Sequence, residues 1–256
     1  MVEQISDMNK EIGEKDPVLK IAIYGKGFVD KPYPEELVDV KDFVIDLRDE
    51  EIDTIPESSF ILFLEAFDMW NKNKGHDWVC TMDDDARLDN ISLWIERLDS
   101  VFEKGDTGAL GPMSVLRKNV LKMSNNPNET KDMAAGALAS MGCQAYSKSL
   151  ISKGIQSGVI ESIVDLIKFR FDIPMYLLCE SYGLKTRETP LPFCHRVSGG
   201  AKDKKVDEKI IQKKIDEVNY DFDRISFLFP NHKAIIEKNR KMSIKSAERL
   251  LEKSKK

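Results

Sequence analysis

Apolar residues in this chain come in short runs broken by polar, glycine or proline stretches, a rhythm that predicts buried strands alternating with helices. Residues 18–24 are rich in branched apolar side chains and predict a first strand, stopped by Gly25, Lys26 and Gly27. Residues 42–47 predict a second strand, whose end carries Asp46, Arg48 and Asp49. After Pro56, with Ser58 or Ser59 as cap, apolar positions 60, 61, 63, 64, 67 and 70 form one broad helical face that closes at Gly75. Residues 77–82 predict a third strand, and Asn90 caps a helix through about Glu103. Strand, strand, helix, strand, helix is the order of an α/β sheet.

Further along, residues 107–113 predict a short strand or bend, and residues 114–134 an irregular polar surface loop. Residues 136–146, dominated by glycine and alanine, predict a strand that lets a backbone or ligand approach closely. Helices follow at 147–153, 162–169 and 171–183. The last has Asp172 as N-cap, Pro174 in its first turn and Gly183 as its stop. Residues 184–189 predict a strand, and residues 190–200 a loop holding Cys194, His195 and Arg196. Gly199 and Gly200 hinge to a tail of two helices, 206–219 and 233–254. The aromatic segment 220–230 docks that tail on the body. The expected division is residues 1–200 and a basic helical extension, 201–256.

The third strand ends in Asp83, Asp84 and Asp85. Adjacent carboxylates repel and raise one another's pKa unless a cation offsets them. The triplet therefore points to a metal ion carrying a phosphorylated substrate; the competing reading is a solvated turn that favours a helix N-terminus.

Composition narrows the setting. With 256 residues, 41% hydrophobic and 32% charged, the chain has enough length for a substantial core. No apolar run approaches the roughly 18 residues of a membrane span, and the acidic, polar start is unlike a secretory signal. Four cysteines, Cys80, Cys143, Cys179 and Cys194, form no CxxC pair, so free buried thiols and a cytoplasmic setting are expected. The net charge of −5 is uneven: residues 201–256 hold 16 Lys and Arg against 10 Asp and Glu, leaving 23 against 34 before them. A basic tail on an acidic body either holds a polyanion or is a solvated amphipathic helix.

The acidic strand end, the small-residue strand 136–146, and Asp172 heading a helix some twenty residues before His195 fall in an order that resembles the GT-A class of nucleotide-sugar glycosyltransferases. The resemblance spans roughly residues 18–200. It implies a GT-A-like, Rossmann-related mixed sheet flanked by helices, with the C-terminal helices as an extension. It further implies that Asp83 and Asp85, with His195, hold Mn²⁺ or Mg²⁺ on a nucleoside-diphosphate sugar, Asp83 and Asp84 also serving metal-bound water or ribose. Asp172 would be the base that deprotonates the acceptor hydroxyl; where the class carries Glu-Asp, this chain has Phe171-Asp172. Lys26, Arg117, Lys118 and Arg196 are loop cations within the pattern for phosphate, and Tyr24, Asp46 and Arg48 for base and ribose. His76 and His232 are read as structural.

The compact size and basic tail also resemble, more loosely, phage glycosyltransferases that decorate hydroxymethylated pyrimidines, which would make DNA the acceptor. Two alternatives stand beside transfer. A sugar-nucleotide nucleotidyltransferase would need a glycine-rich loop with Arg and Lys after the first strand, which Gly25-Lys26-Gly27 does not supply. A non-catalytic GT-A-like protein would bind a partner through its tail.

Overall fold

The computed structural model describes residues 21–23, 44–46, 77–82, 86–88, 91–112, 131–132, 143–167, 170–189, 193–195 and 208–254. These residues form a mixed α/β fold. Strands β1 (Ile21–Ile23) and β2 (Val44–Asp46) pair in parallel, Ile23 opposite Asp46. Strand β3 (Trp78–Met82) opens a five-stranded sheet, and β4 (Ala86–Leu88) follows it after three residues. With β5 (Thr107–Pro112), β6 (Lys131–Asp132), β7 (Cys143–Ser147) and β8 (Lys185–Thr189), the sheet has the order β3-β7-β5-β8-β6. The last strand, β9 (Phe193–His195), pairs antiparallel with β4.

In the sheet β3, β5 and β8 run one way and β6 and β7 the other. The carboxyl ends of β3, β5 and β8, at Met82, Pro112 and Thr189, therefore fall on one edge, level with Cys143 at the start of β7. All six residues of β5 are buried, as a strand covered on both faces requires.

Alternation along the strands sorts the two faces. On one, helix α1 (Ile91–Phe102) lays Trp94, Leu98, Val101 and Phe102 on Leu110, Cys143 and Ala145. On the other, Ala109 and Tyr146 meet helices α2 (Lys148–Gln156), α3 (Val159–Leu166) and α4 (Asp172–Ser181). Ser147 caps α2 by accepting the Leu150 amide. Gly183, at φ +66°, ends α4: its amide donates to Glu180 and that of Leu184 to Cys179, the paired bonds that close a helix on a left-handed residue.

The C-terminal helices, α5 (Glu208–Leu228) and α6 (Lys233–Ser254), are joined by a 3-10 turn at Pro230–His232. Val218, Phe222, Ile225, Phe229 and Ile236 enter the core cluster that contains Tyr146 and Leu178. His232 Nε2 lies 3.8 Å from Glu180 on α4. Among the described residues no helix is long and apolar enough to cross a membrane.

Several expectations change. Residues 193–195 are a strand rather than loop, because their backbone finds a partner in residues 86–88. Asp172 is the first helical residue rather than the cap; Phe171 takes the cap position without a side-chain bond. The helix expected at 162–169 runs Val159–Leu166. The first tail helix continues to Leu228, so the aromatic docking segment is helical: Phe222 and Phe229 are buried while Phe227 is 77% exposed. The described part of the small-residue strand is Cys143–Ser147. The helix expected at 60–74 lies outside the described residues.

Candidate functional site

In an open α/β sheet the carboxyl edge of the parallel strands is where loops gather a ligand. Here the chain leaves that edge after Met82, Pro112 and Thr189, and enters it at Cys143. The sequence candidates follow from these points: the acidic triplet directly after Met82, Arg117 after Pro112, and His195 and Arg196 after Thr189.

The β4–β9 ribbon ties two of those departures together. Ala86 is the register partner of His195, and Leu88 of Phe193. Paired Cα atoms in an antiparallel ladder stand about 5 Å apart, so the backbone at 195 lies beside the residue that immediately follows Asp85. Sequence separation hides this; pairing creates it. Asp46 is likewise placed at the carboxyl end of β2, opposite Ile23, the residue before Tyr24. Asp83, Asp84, Asp85, Tyr24, Lys26, Arg48, Arg117, Lys118 and Arg196 lie outside the described residues. Among the described residues no cluster of three or more His, Cys, Asp or Glu side chains is arranged to hold a metal ion.

Asp172 heads α4, the helix that covers one face of the sheet. The residue is half-buried, but its Oδ2 is shielded from solvent and has no hydrogen-bond partner among the described residues. It lines a cavity of about 10 Å³ together with Tyr146, Gln144, Tyr176, Thr186, Ala109 and Leu110. That volume just admits one water and is far below the roughly 300 Å³ of a small-molecule site. Burial pushes the Asp172 carboxyl up from its ordinary pKa; the Arg170 charge and the Ile173 amide pull the other way without cancelling it. Burial also raises the Tyr146 phenol well above its usual value, and the Asp172 charge adds to that. Tyr146 remains a neutral donor, and its hydroxyl is bonded to Gln144 Oε1. Tyr176 donates to Glu180 Oε1 at 2.6 Å.

The sequence reading missed Tyr146, Gln144 and Tyr176 as neighbours of Asp172. Strand alternation was the available signal for the first two, which share the face of β7 that meets α4. It also missed Arg97, which is 1% exposed and donates to Thr189 Oγ1 at 2.9 Å, at the carboxyl edge. Its position three residues after Trp94 and four before Val101 places it on the inward stripe of α1. At the opposite edge Arg187, buried in β8, bonds Asp132 Oδ1 at 2.9 Å and Asp106 Oδ2 at 2.8 Å. It thereby fastens β6 and the start of β5, a structural duty. Arg187 and then Lys185 hold the Asp132 carboxyl below its ordinary pKa.

Comparisons with protein-family models, curated proteins and solved structures return no match to this chain. What the described residues define is a mixed α/β protein.

Proposed function

We propose that the chain is a metal-dependent glycosyltransferase of GT-A-like fold, moving a sugar from a nucleoside-diphosphate sugar to an acceptor hydroxyl. The observation that carries this reading is the pairing of Ala86 with His195. It sets the backbone of residue 195 beside residue 86 and so supports a reading in which the His195 imidazole would join the carboxylates that precede Ala86 in the sequence. Carboxylate oxygens from Asp83 and Asp85 with one nitrogen from His195 suit Mn²⁺ better than Mg²⁺, which prefers oxygen alone. Once bound, such an ion compensates the charge of the diphosphate leaving group.

The protein's own groups do the rest. Tyr24, Asp46 and Arg48, with Asp84, orient base and ribose. Lys26, Arg117 and Arg196 bring cations to the phosphates. Asp172 takes the acceptor proton: its elevated pKa makes it a better base than a surface aspartate.

A panel of nucleotide sugars incubated with Mn²⁺, with and without hydroxymethylated DNA, tests the reading. Release of nucleoside diphosphate from one donor, stimulated by an acceptor, is expected. If no donor is turned over with Mn²⁺ or Mg²⁺, the non-catalytic alternative takes its place.

A further inference from the structure

Helix α6 (Lys233–Ser254) uses one side to hold the fold. Ile236, Asn239 and Ala247 are buried, with Ile235 and Ile244 packed beside the core. Across the helix stand Lys238, Lys241, Lys245 and Arg249, all exposed. Intervals of three, four and four residues keep them on one side, in a row about 16 Å long at 1.5 Å per residue. None of the four side chains has an ion pair or hydrogen bond among the described residues. Arg240, off this row, pairs with Asp223 at 2.6 Å and lies 3.5 Å from Glu237, and Arg224 stacks on Tyr220. The exposed acids Glu237 and Glu248 flank the row, and Glu252 lies on its line only at the far end.

A row of exposed cations suits three kinds of partner, and the rest of the face separates them. A helix that lies in a membrane surface needs a free apolar side, but that of α6 is committed to the core. A protein interface needs buried aromatic or apolar anchors at its centre; among the described residues this face offers Met242, 48% exposed, while the other exposed large apolar residues, Ile210 and Phe227, belong to α5. A nucleic-acid backbone needs only a regular series of cations, since each strand presents a charge every 3.4 Å or so.

We propose that this face of α6 docks the phosphodiester backbone of a nucleic acid. Three of its four cations are lysines, point charges that position a backbone without reading bases. The binding is therefore independent of sequence and sharply dependent on salt. It does not rest on the transferase reading; if both hold, the face delivers a nucleic-acid acceptor to the body.

The test is fluorescence anisotropy of the full chain with a labelled duplex and the matching single strand, at 50 to 200 mM NaCl. Binding should weaken about 150-fold across that range for the duplex and about fiftyfold for the single strand, as four phosphate contacts imply. A variant carrying Lys238→Gln, Lys241→Gln, Lys245→Gln and Arg249→Gln should lose at least tenfold in affinity at 100 mM NaCl, with a shallower salt slope and unchanged circular dichroism. A control of equal charge change, Lys104→Gln, Lys153→Gln, Lys209→Gln and Lys213→Gln, should lose less than threefold. Asp172→Asn should bind as the unaltered chain does, which keeps this result apart from the fate of the transferase reading. No binding to duplex or single strand at 50 mM NaCl, equal losses in the two quadruple variants, or preference for phosphatidylserine vesicles over nucleic acid would each overturn the proposal.

Discussion

Asp172 and Tyr146 line the same one-water cavity, and the carboxylate raises the phenol's pKa as burial raises both. Charge on Asp172 is thus tolerated by the fold rather than favoured by it.

The sign of the pH effect follows. A carboxyl whose folded pKa exceeds its unfolded value binds more protons in the folded state. Its stabilising contribution is present below the unfolded value of 3.8 and is lost as pH rises through the folded pKa. Asp172→Asn keeps the shape and removes the charge. At pH 7 its urea midpoint should lie above that of the unaltered chain, and the difference should vanish below pH 3.8. Under the transferase reading the same variant loses turnover by at least a hundredfold. Greater stability with less activity is the combination expected of a buried base.

Gly108 lies where β5 passes beneath α4. A Cβ there would stand 2.7 Å from Cys179 Sγ and 3.0 Å from Leu184 Cβ. Neither atom ends a long flexible chain, so the strand or the helix must shift. Gly108→Ala should destabilise the fold by about 1–3 kcal/mol, the usual cost of overpacking. Thermal unfolding followed by circular dichroism measures it.

Cys80 and Cys143 face one another across β3 and β7 with sulfurs 4.0 Å apart, and the Cys143 thiol holds Cys80 below the ordinary thiol pKa. Cys179 is fully buried, and desolvation pushes it up to about 12. Since the thiolate is the reacting form, brief alkylation of the native protein at pH 8 should label Cys80 well ahead of Cys179. Peptide mapping by mass spectrometry reads the order directly.

Much of the architecture was legible because its signals are local. The apolar run of β3, the Trp94–Leu98–Phe102 stripe of α1, and the Gly183 stop of α4 each declare themselves within a turn or a few residues. The β4–β9 ribbon does not. Ala86–Leu88 and Phe193–His195 are three residues each, the latter between prolines and glycines, and they are strands only because each meets the other across more than a hundred positions. The same limit hid the surroundings of Asp172. Its place at a helix head was visible in the sequence, but its move from cap to first turn depends on Phe171, and its neighbours come from β5, β7 and β8. Long-range pairing decides the site more than local pattern does.

The central claim is that the acidic strand end and His195 together serve a divalent ion on a sugar nucleotide. The most direct measurement is Mn²⁺-dependent release of nucleoside diphosphate from the donor that the panel selects, comparing the unaltered chain with Asp85→Ala and His195→Ala. The account predicts at least a hundredfold loss for Asp85→Ala, and for His195→Ala a weaker apparent affinity for Mn²⁺ that added metal partly restores. Turnover by Asp85→Ala at the rate of the unaltered chain would contradict it.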